Sequence, residues 1–387
     1  MPDYSHIEVI QLLKKLVSIE STNVGSYEKE IGDFIYHWLE TETAGTGVSL
    51  LRDEALPGRY NIVAELKGEI ERPNFVFITH MDTVPVGNGW TKDPFKGEII
   101  DGKLYGRGAL DMKQGVASAM IVFRDLAKSG KRPKHSILFI GSVDEEGNVM
   151  QGAVQAVKNG WINKDSWVLD TEPTAGYIMG AHKGKTWFEI KTKGKPAHGS
   201  VPQMGIDAIA AMGEIISELR ARIAQWPGTE EMGPSTICFG TVQGGVNTNI
   251  VADECTLTID MRLSHPLTTE GSIHLVEEAI QAGTQKVPGS SGTYRIIAAR
   301  PYILMDEEAP LYLALKKAAE KITGKPPVTM LLTGYTDSGV ATAECGCINA
   351  MSYGAKGNNA HQADEYVDCG SVLTLVDVLH ELMNYVS

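Results

Sequence analysis

The sequence predicts an α/β protein, a mainly parallel sheet between helices, interrupted by a smaller α+β domain. Three observations carry this. The apolar runs NFVFIT (74–79) and SILFIGSV (136–143) flank the helical stretch GVASAMIVFRDLAKSG. Strand–helix–strand with continuously apolar strands implies a parallel sheet covered on both faces. From residue 183 the pattern changes to strand–helix–strand–strand–helix–strand, the order of a ferredoxin-like unit, and from 298 it returns to alternating helix and strand. Residues 1–182 and 298–387 therefore form one domain, and 183–297 form an insertion.

Each element has its own signal. Residues 7–18 (IEVIQLLKKLVS) carry helical apolar spacing, and a second helix covers 27–42. NIVAEL (61–66) reads as a strand before NFVFIT, and the helix after it closes on Gly130. In the insertion, KTWFEIKTKG alternates as a strand and GIDAIAAMGEIISELRARIAQW is a long amphipathic helix. STICFGTVQGG and CTLTIDMRL follow as strands, then a helix near 268–286 and a strand near 293–299. VLTLVDVLHELMNYV ends the chain as a helix.

Composition narrows the function. A formal charge of −13 and pI near 5.3 argue against nucleic acid or an anionic membrane surface as partner. No apolar run approaches the ~20 residues of a membrane span, and MPDYSHIEVIQLL does not read as a signal peptide. The cysteines, Cys238, Cys255, Cys345, Cys347 and Cys369, are odd in number and lack a CxxC spacing. They fit reduced packing residues of a cytoplasmic protein better than disulfides or a thiolate metal site.

Ligand-type residues recur in five places outside the insertion. They are His80 and Asp82 in THMDT, Asp111 in GALDMK, Glu145 and Glu146 in SVDEEGN, Glu172 in DTEPTA, and His361 in NNAHQADE. His80 and the acidic run follow apolar strands, and ligands of such sheets sit beyond the strands' carboxyl ends. Two metal ions would need a bridging carboxylate and about two further protein ligands each. Asp111 can bridge, with His80 and Glu172 on one side and Glu146 and His361 on the other. Glu145 is left over as a general base and acid. Asp82 is placed to orient the His80 imidazole, as carboxylates behind metal ligands do. A lone histidine after a strand is more often structural, and HxD and DEE are individually weak. GRGALD lacks the third glycine of a dinucleotide fingerprint and places Asp111 where phosphate would be repelled.

The wording around these residues is more specific. THMDTVPVGNGWTKDPFKGEIIDGKLYGRGALDMKQG, SVDEEGN, DTEPTA, KPAHGSVPQMGIDAI, NTNIVADECTLTIDMR, TGYTDSG and NAHQADEYV resemble, in order, one family. It is the zinc aminoacylase and exopeptidase family of acetylornithine deacetylase, succinyl-diaminopimelate desuccinylase, glutamate carboxypeptidase and peptidase T. The resemblance implies a catalytic domain with two divalent ions, zinc or else cobalt or manganese, and an inserted lid that often dimerises. It assigns ligand roles to His80, Asp111, Glu146, Glu172 and His361, with Glu145 as base and Asp82 behind His80. Asp170 is an alternative to Glu172, because peptidase T-like members use an aspartate in that segment. A cis peptide is implied after Asp111.

The same resemblance gives His198, in KPAHGSVP, the role of stabilising the oxyanion, often from the partner subunit of a homodimer. Asn249 and Arg262 match positions that hold a substrate carboxylate, which the arginine fork suits. Gly334 and Thr336 resemble a loop lining the substrate pocket. The activity implied is amide hydrolysis in a small carboxylate-bearing substrate, an N-acyl amino acid first. A di- or tripeptide or carboxypeptidase substrate is the alternative, and a non-catalytic binding protein on the same scaffold a remote one.

Overall fold

The computed structural model describes residues 3–147 and 149–386, so Asn148, the last residue of SVDEEGN, lies outside the described residues. The chain forms two compact units. One comprises Met1–Ala181, Leu304–Met330 and Thr336–Ser387, the other His182–Ile303 and Leu331–Tyr335.

The first unit is built on an eight-stranded sheet. Its order is Ser49–Leu56, Arg59–Leu66, His135–Ser142, Ile70–His80, Trp167–Asp170, Ala350–Ser352, Ile178–His182 and Thr329–Leu332. The four central strands, from His135–Ser142 to Ala350–Ser352, are mutually parallel. Arg59–Leu66 pairs antiparallel with His135–Ser142, and Ser49–Leu56, unforeseen in the sequence, completes a hairpin with Arg59–Leu66. The central strands are apolar on both faces: Phe75, Val76, Phe77 and Ile78 have no exposed surface. The helices Glu8–Val17, Lys29–Glu42, Lys113–Lys128, Pro310–Thr323 and Cys369–Val386 bury their apolar stripes in one continuous core with this sheet.

Register places the chemistry. His80 pairs with Ser142 at the ends of two parallel strands, and Ile78 pairs with Asp170 on the third. The loops that follow, carrying Met81–Asp82, Asp144–Glu146 and Glu172, therefore leave one rim of the sheet.

The second unit has the expected order of elements. Gly184–Lys193, Ala208–Ile223, Thr236–Gly244, Glu254–Leu263, Thr269–Gln285 and Ser291–Arg300 form an antiparallel sheet with two helices. The spatial order of strands is Thr236–Gly244, Glu254–Leu263, Gly184–Lys193, Ser291–Arg300, that of a ferredoxin-like unit. Alternation on Glu254–Leu263 is strict. Cys255, Leu257, Ile259, Met261 and Leu263 are buried in the core with the helices, while Asp260 and Arg262 lie on the other face. This unit extends to Ile303 because the last strand pairs as far as Arg300, opposite Lys185. His182 and Ile303 then exchange two backbone hydrogen bonds, at 3.0 and 2.9 Å.

All five cysteines are free, and four are buried or half-buried, as packing predicts, while Cys238 is exposed. Among the described residues no helix is long and apolar enough to cross a membrane.

Candidate metal centre

His80 is 1% exposed, and its Nδ1 lies 2.9 Å from the main-chain carbonyl of Asp82. A carbonyl only accepts, so Nδ1 carries the proton and Nε2 is the nitrogen turned to the site. Nε2 sits 3.2 Å from Asp111 Oδ1, 3.6 Å from Glu172 Oε1 and 3.9 Å from Glu145 Oε2. The other oxygen of Asp111, Oδ2, lies 3.2 Å from His361 Nε2, which is also 3.1 Å from Glu146 Oε1. Asp111 thus turns one oxygen to each of two imidazoles, the disposition of a bridging ligand.

Backbone conformation brings these groups together. The Asp111–Met112 peptide is cis, as the resemblance implies. His361 and Asp144 adopt left-handed conformations, at φ 61° and 68°. Gly108, at φ 79°, has no room for a side chain, since a Cβ would stand 2.6 Å from Thr83 Cγ2.

Asp82 differs in one respect from the sequence expectation. Its main-chain oxygen, not its carboxylate, receives the His80 imidazole; the nearer carboxylate oxygen is 3.6 Å from Nδ1. That carboxylate is engaged elsewhere. It accepts the amides of Glu145 (3.2 Å) and Glu146 (3.1 Å) and the Asn23 side chain. Asp144 points away, to Arg59 (3.1 Å), whose guanidinium also grips the buried carboxylate of Glu28. No motif in the sequence marks Asn23, Glu28 or Arg59.

The electrostatics call for cations. Burial, followed by the repulsion of Asp111 and Asp170, lifts Glu172 well above the carboxylate range against the pull of His80. Burial likewise lifts Glu145; the attraction of His80 opposes this, and Glu146 and Asp337 add to the rise. His80 is held well above its ordinary value although burial opposes protonation, because Asp111 hydrogen-bonds it and Glu172 and Glu145 surround it. Behind them Asp170 and Asp337 are fully buried and pushed up to about 6 and about 8 by burial. Four carboxylates (Asp111, Glu145, Glu146, Glu172) facing two imidazoles would carry an excess of negative charge if all were ionised, so without cations the site holds protons on Glu145, Glu172 and the histidines.

The donor set suits a borderline divalent ion. His80, Asp111 and Glu146 each offer one ligand atom within 4.8 Å of the others, and so do His80, Glu145 and Glu172. Asp170 instead accepts the Ser338 amide at 3.0 Å, which favours Glu172 as the residue facing the site.

The other predicted residues stand as follows. Thr336 stands at the N-cap position of the helix Asp337–Cys345, without a side-chain capping hydrogen bond, and is buried, its hydroxyl 2.9 Å from that of Ser338. His198, Asn249, Arg262 and Gly334 belong to the second unit. There exposed His198 and Asn249 are neighbours: the Gly199 amide donates to the Asn249 carbonyl at 2.7 Å. The His198 ring is fixed by Ser200, whose Oγ lies 2.8 Å from Nδ1. Arg262 uses Nε and Nη2 on Asp260, at 2.9 Å each, so its fork is partly engaged.

A parallel sheet whose strand ends gather a buried imidazole, His80, an exposed one, His361, and a set of carboxylates around Asp111 is the arrangement of a metal-dependent hydrolase. The chain belongs to peptidase family M20/M25/M40, whose sequence profile matches residues 76–385. It is 24% identical over 412 residues to a probable succinyl-diaminopimelate desuccinylase of Staphylococcus aureus, covering 98% of each chain. It is 27% identical over 310 residues to the succinyl-diaminopimelate desuccinylase of Cereibacter sphaeroides, covering 77% of this chain and 79% of that one. Among solved structures, the aminopeptidase PepT of Bacillus cereus superposes with a TM-score of 0.78 at 23% identity, covering 98% of both chains. A metallo-carboxypeptidase of Sulfolobus solfataricus superposes equally well, at 0.78 and 18% identity over 99% of both.

Proposed function

We propose that this hydrolase cleaves an amide bond in a small carboxylate-bearing substrate, most specifically the N-acyl bond of an acyl amino acid. The observation that carries it is the split of Asp111 between His80 and His361, with Glu145 beside them, 3.9 Å from His80 Nε2 and farther than Asp111 or Glu172. His80, Asp111 and Glu172 would hold one divalent ion, and Asp111, Glu146 and His361 a second, with zinc favoured and cobalt or manganese compatible. Such ions polarise a carbonyl and lower the pKa of water.

The chain's own groups do the rest. Glu145 takes a proton from the attacking water and returns it to the leaving amine. Its raised affinity for a proton in the metal-free site, caused first by burial, falls as cations enter, leaving a carboxylate suited to both tasks. Asp82 fixes the backbone of Glu145 and Glu146 from behind. His198 donates to the oxyanion, Asn249 and Arg262 hold the substrate carboxylate, and Gly334 and Thr336 shape its surroundings. The second unit serves as lid and homodimer contact.

The curated relatives named desuccinylase support an N-succinyl amino acid, and the PepT neighbour supports a peptide as the second reading. Turnover of N-succinyl, N-acetyl, dipeptide and tripeptide substrates with zinc, cobalt or manganese tests this, alongside elemental analysis. Preference for a peptide would replace the deacylase reading, and failure to take up a divalent ion would remove both.

A further inference from the structure

The pair Arg107–Glu365 has no part in the chemistry above, yet it touches three of the segments that supply it. Glu365 has no exposed surface and Arg107 1%. One oxygen of Glu365, Oε2, accepts Arg107 Nη1 at 2.5 Å and the Gly108 amide at 3.1 Å. The other, Oε1, accepts the amides of Leu110 (2.9 Å) and of Asp111 itself (3.0 Å). Arg107 in turn donates through Nη2 to the carbonyls of Pro85 (3.2 Å) and Val86 (3.1 Å), which follow His80 and Asp82 in the chain. Glu365 stands four residues after His361 and directly before the strand Tyr366–Asp368, which pairs with Lys103–Tyr105.

We infer that Glu365 is a positioning residue: its carboxylate, neutralised by Arg107, ties the loops bearing His80, Asp111 and His361 into one preorganised ligand frame. Only a carboxylate can collect these four donors, because an anion accepts at both oxygens and has no hydrogen to turn towards the amides. The three amides of the Gly108–Asp111 turn have their acceptor here, and a turn whose amides lose a buried acceptor rearranges to find another. Asp111 is in that turn, so its two oxygens would lose their disposition towards the two imidazoles. Arg107 has a different task. It offsets the buried charge and anchors the His80 loop through two carbonyls, which a neutral side chain leaves to water or to local adjustment.

The inference rests on reading His80, Asp111 and His361 as ligands. The alternative is a buried ion pair that serves stability alone, and such pairs are often replaceable by apolar residues without loss. Chelator-treated full-length chain is titrated calorimetrically with Zn²⁺ or Co²⁺, with thermal melting as the measure of folding. The variants are Arg107→Met, Arg107→Met/Glu365→Leu and Glu365→Gln. The positioning role expects the folded double variant to bind the ion ~10–100-fold more weakly, as loss of groups behind metal ligands does. It expects Arg107→Met, which keeps the acceptor, to lose only a small part of that. Glu365→Gln, with one acceptor oxygen and a similar volume, is expected to weaken binding ~10-fold, clearly more than Arg107→Met, and supplies the measurement should the double variant not fold. Affinity within a few fold of wild type in the folded double variant, or in Glu365→Gln, overturns the inference. A wild-type chain that binds no divalent ion overturns the metallohydrolase reading itself, a result separate from equal binding by wild type and variants.

Discussion

The carboxylate of Asp82 accepts the backbone amides of Glu145 and Glu146, at 3.2 and 3.1 Å. It thereby fixes the backbone of two adjacent residues to which the proposed function gives different tasks. Asp82→Asn replaces one acceptor by an NH₂ group that faces an amide. Turnover is expected to fall ~10–100-fold with the fold retained. Steady-state kinetics beside circular dichroism check this, and unchanged turnover would show that the loop holds its shape without Asp82.

Glu145→Gln separates the base from the ligands. The amide keeps the volume but cannot take a proton, so kcat is expected to drop by roughly 10²–10⁴. Metal content per chain should stay at the wild-type value, because Glu146 and Glu172 remain. Loss of metal together with activity would make Glu145 a ligand instead.

Metal uptake should depend on pH through His361. In the metal-free chain its pKa is raised to about 10 by hydrogen bonds with Asp111 and Glu146, which outweigh partial burial. An imidazolium cannot ligate, so below that pH an entering ion must displace a proton, and apparent affinity rises with pH. Calorimetry at pH 7 in buffers of different ionisation heat should record proton release on binding. Release undiminished in His361→Asn would assign the proton to another group.

Asp337 predicts a stability effect of definite sign. Burial, followed by the charge of Asp170, raises its pKa to about 8, whereas in the unfolded chain it sits near the ordinary 3.8. Between these values the folded state keeps a proton that the unfolded state has lost, so the metal-free fold loses stability as pH rises across that window. Asp337→Asn removes the contribution and can still accept from Ser142, which lies 2.5 Å from Asp337 Oδ2. Its melting temperature should fall less steeply with pH than that of wild type, measured in chelator. Parallel curves would place the proton on a neighbouring carboxyl.

Gly108→Ala tests the turn before Asp111. Its positive φ of 79° and the 2.6 Å approach of Thr83 Cγ2 both oppose a side chain. A cost of ~1–3 kcal/mol is expected from the strained conformation and the crowding, with weaker metal binding because Asp111 follows three residues later. A variant as stable as wild type would mean that the Thr83 side relaxes freely.

The elements most readable from sequence are those whose burial is one-sided or complete. Phe75–Ile78 reads as a central strand because every position is apolar, and Cys255–Leu263 because alternate positions are. Ser49–Leu56 (SLLRDEAL) was invisible: it is half-buried at the sheet edge and its pattern matches neither period. The ligand candidates were legible because imidazoles and carboxylates after strands are chemically conspicuous, and their wording repeats across a family. The groups that hold them were not. Asn23, Glu28 and Arg59 act through contacts made 31 to 85 residues away along the chain. Glu365 lay in plain view in HQADE, but its work is done on amides, which leave no mark in a sequence. The expected contact of the Asp82 carboxylate with His80 failed for a related reason: the backbone supplied a nearer acceptor.

The tie between Arg107 and Glu365 spans 258 positions, and this bears on biosynthesis. Proteins are made from the amino terminus onward and can begin to fold before synthesis ends. A nascent chain that has displayed His80, Asp111, Glu145 and Glu172 still lacks His361 and the carboxylate that shapes the Asp111 turn. On the proposed ligand assignment, the frame would be complete only once residue 365 has been synthesised and folded against the Asp111 turn.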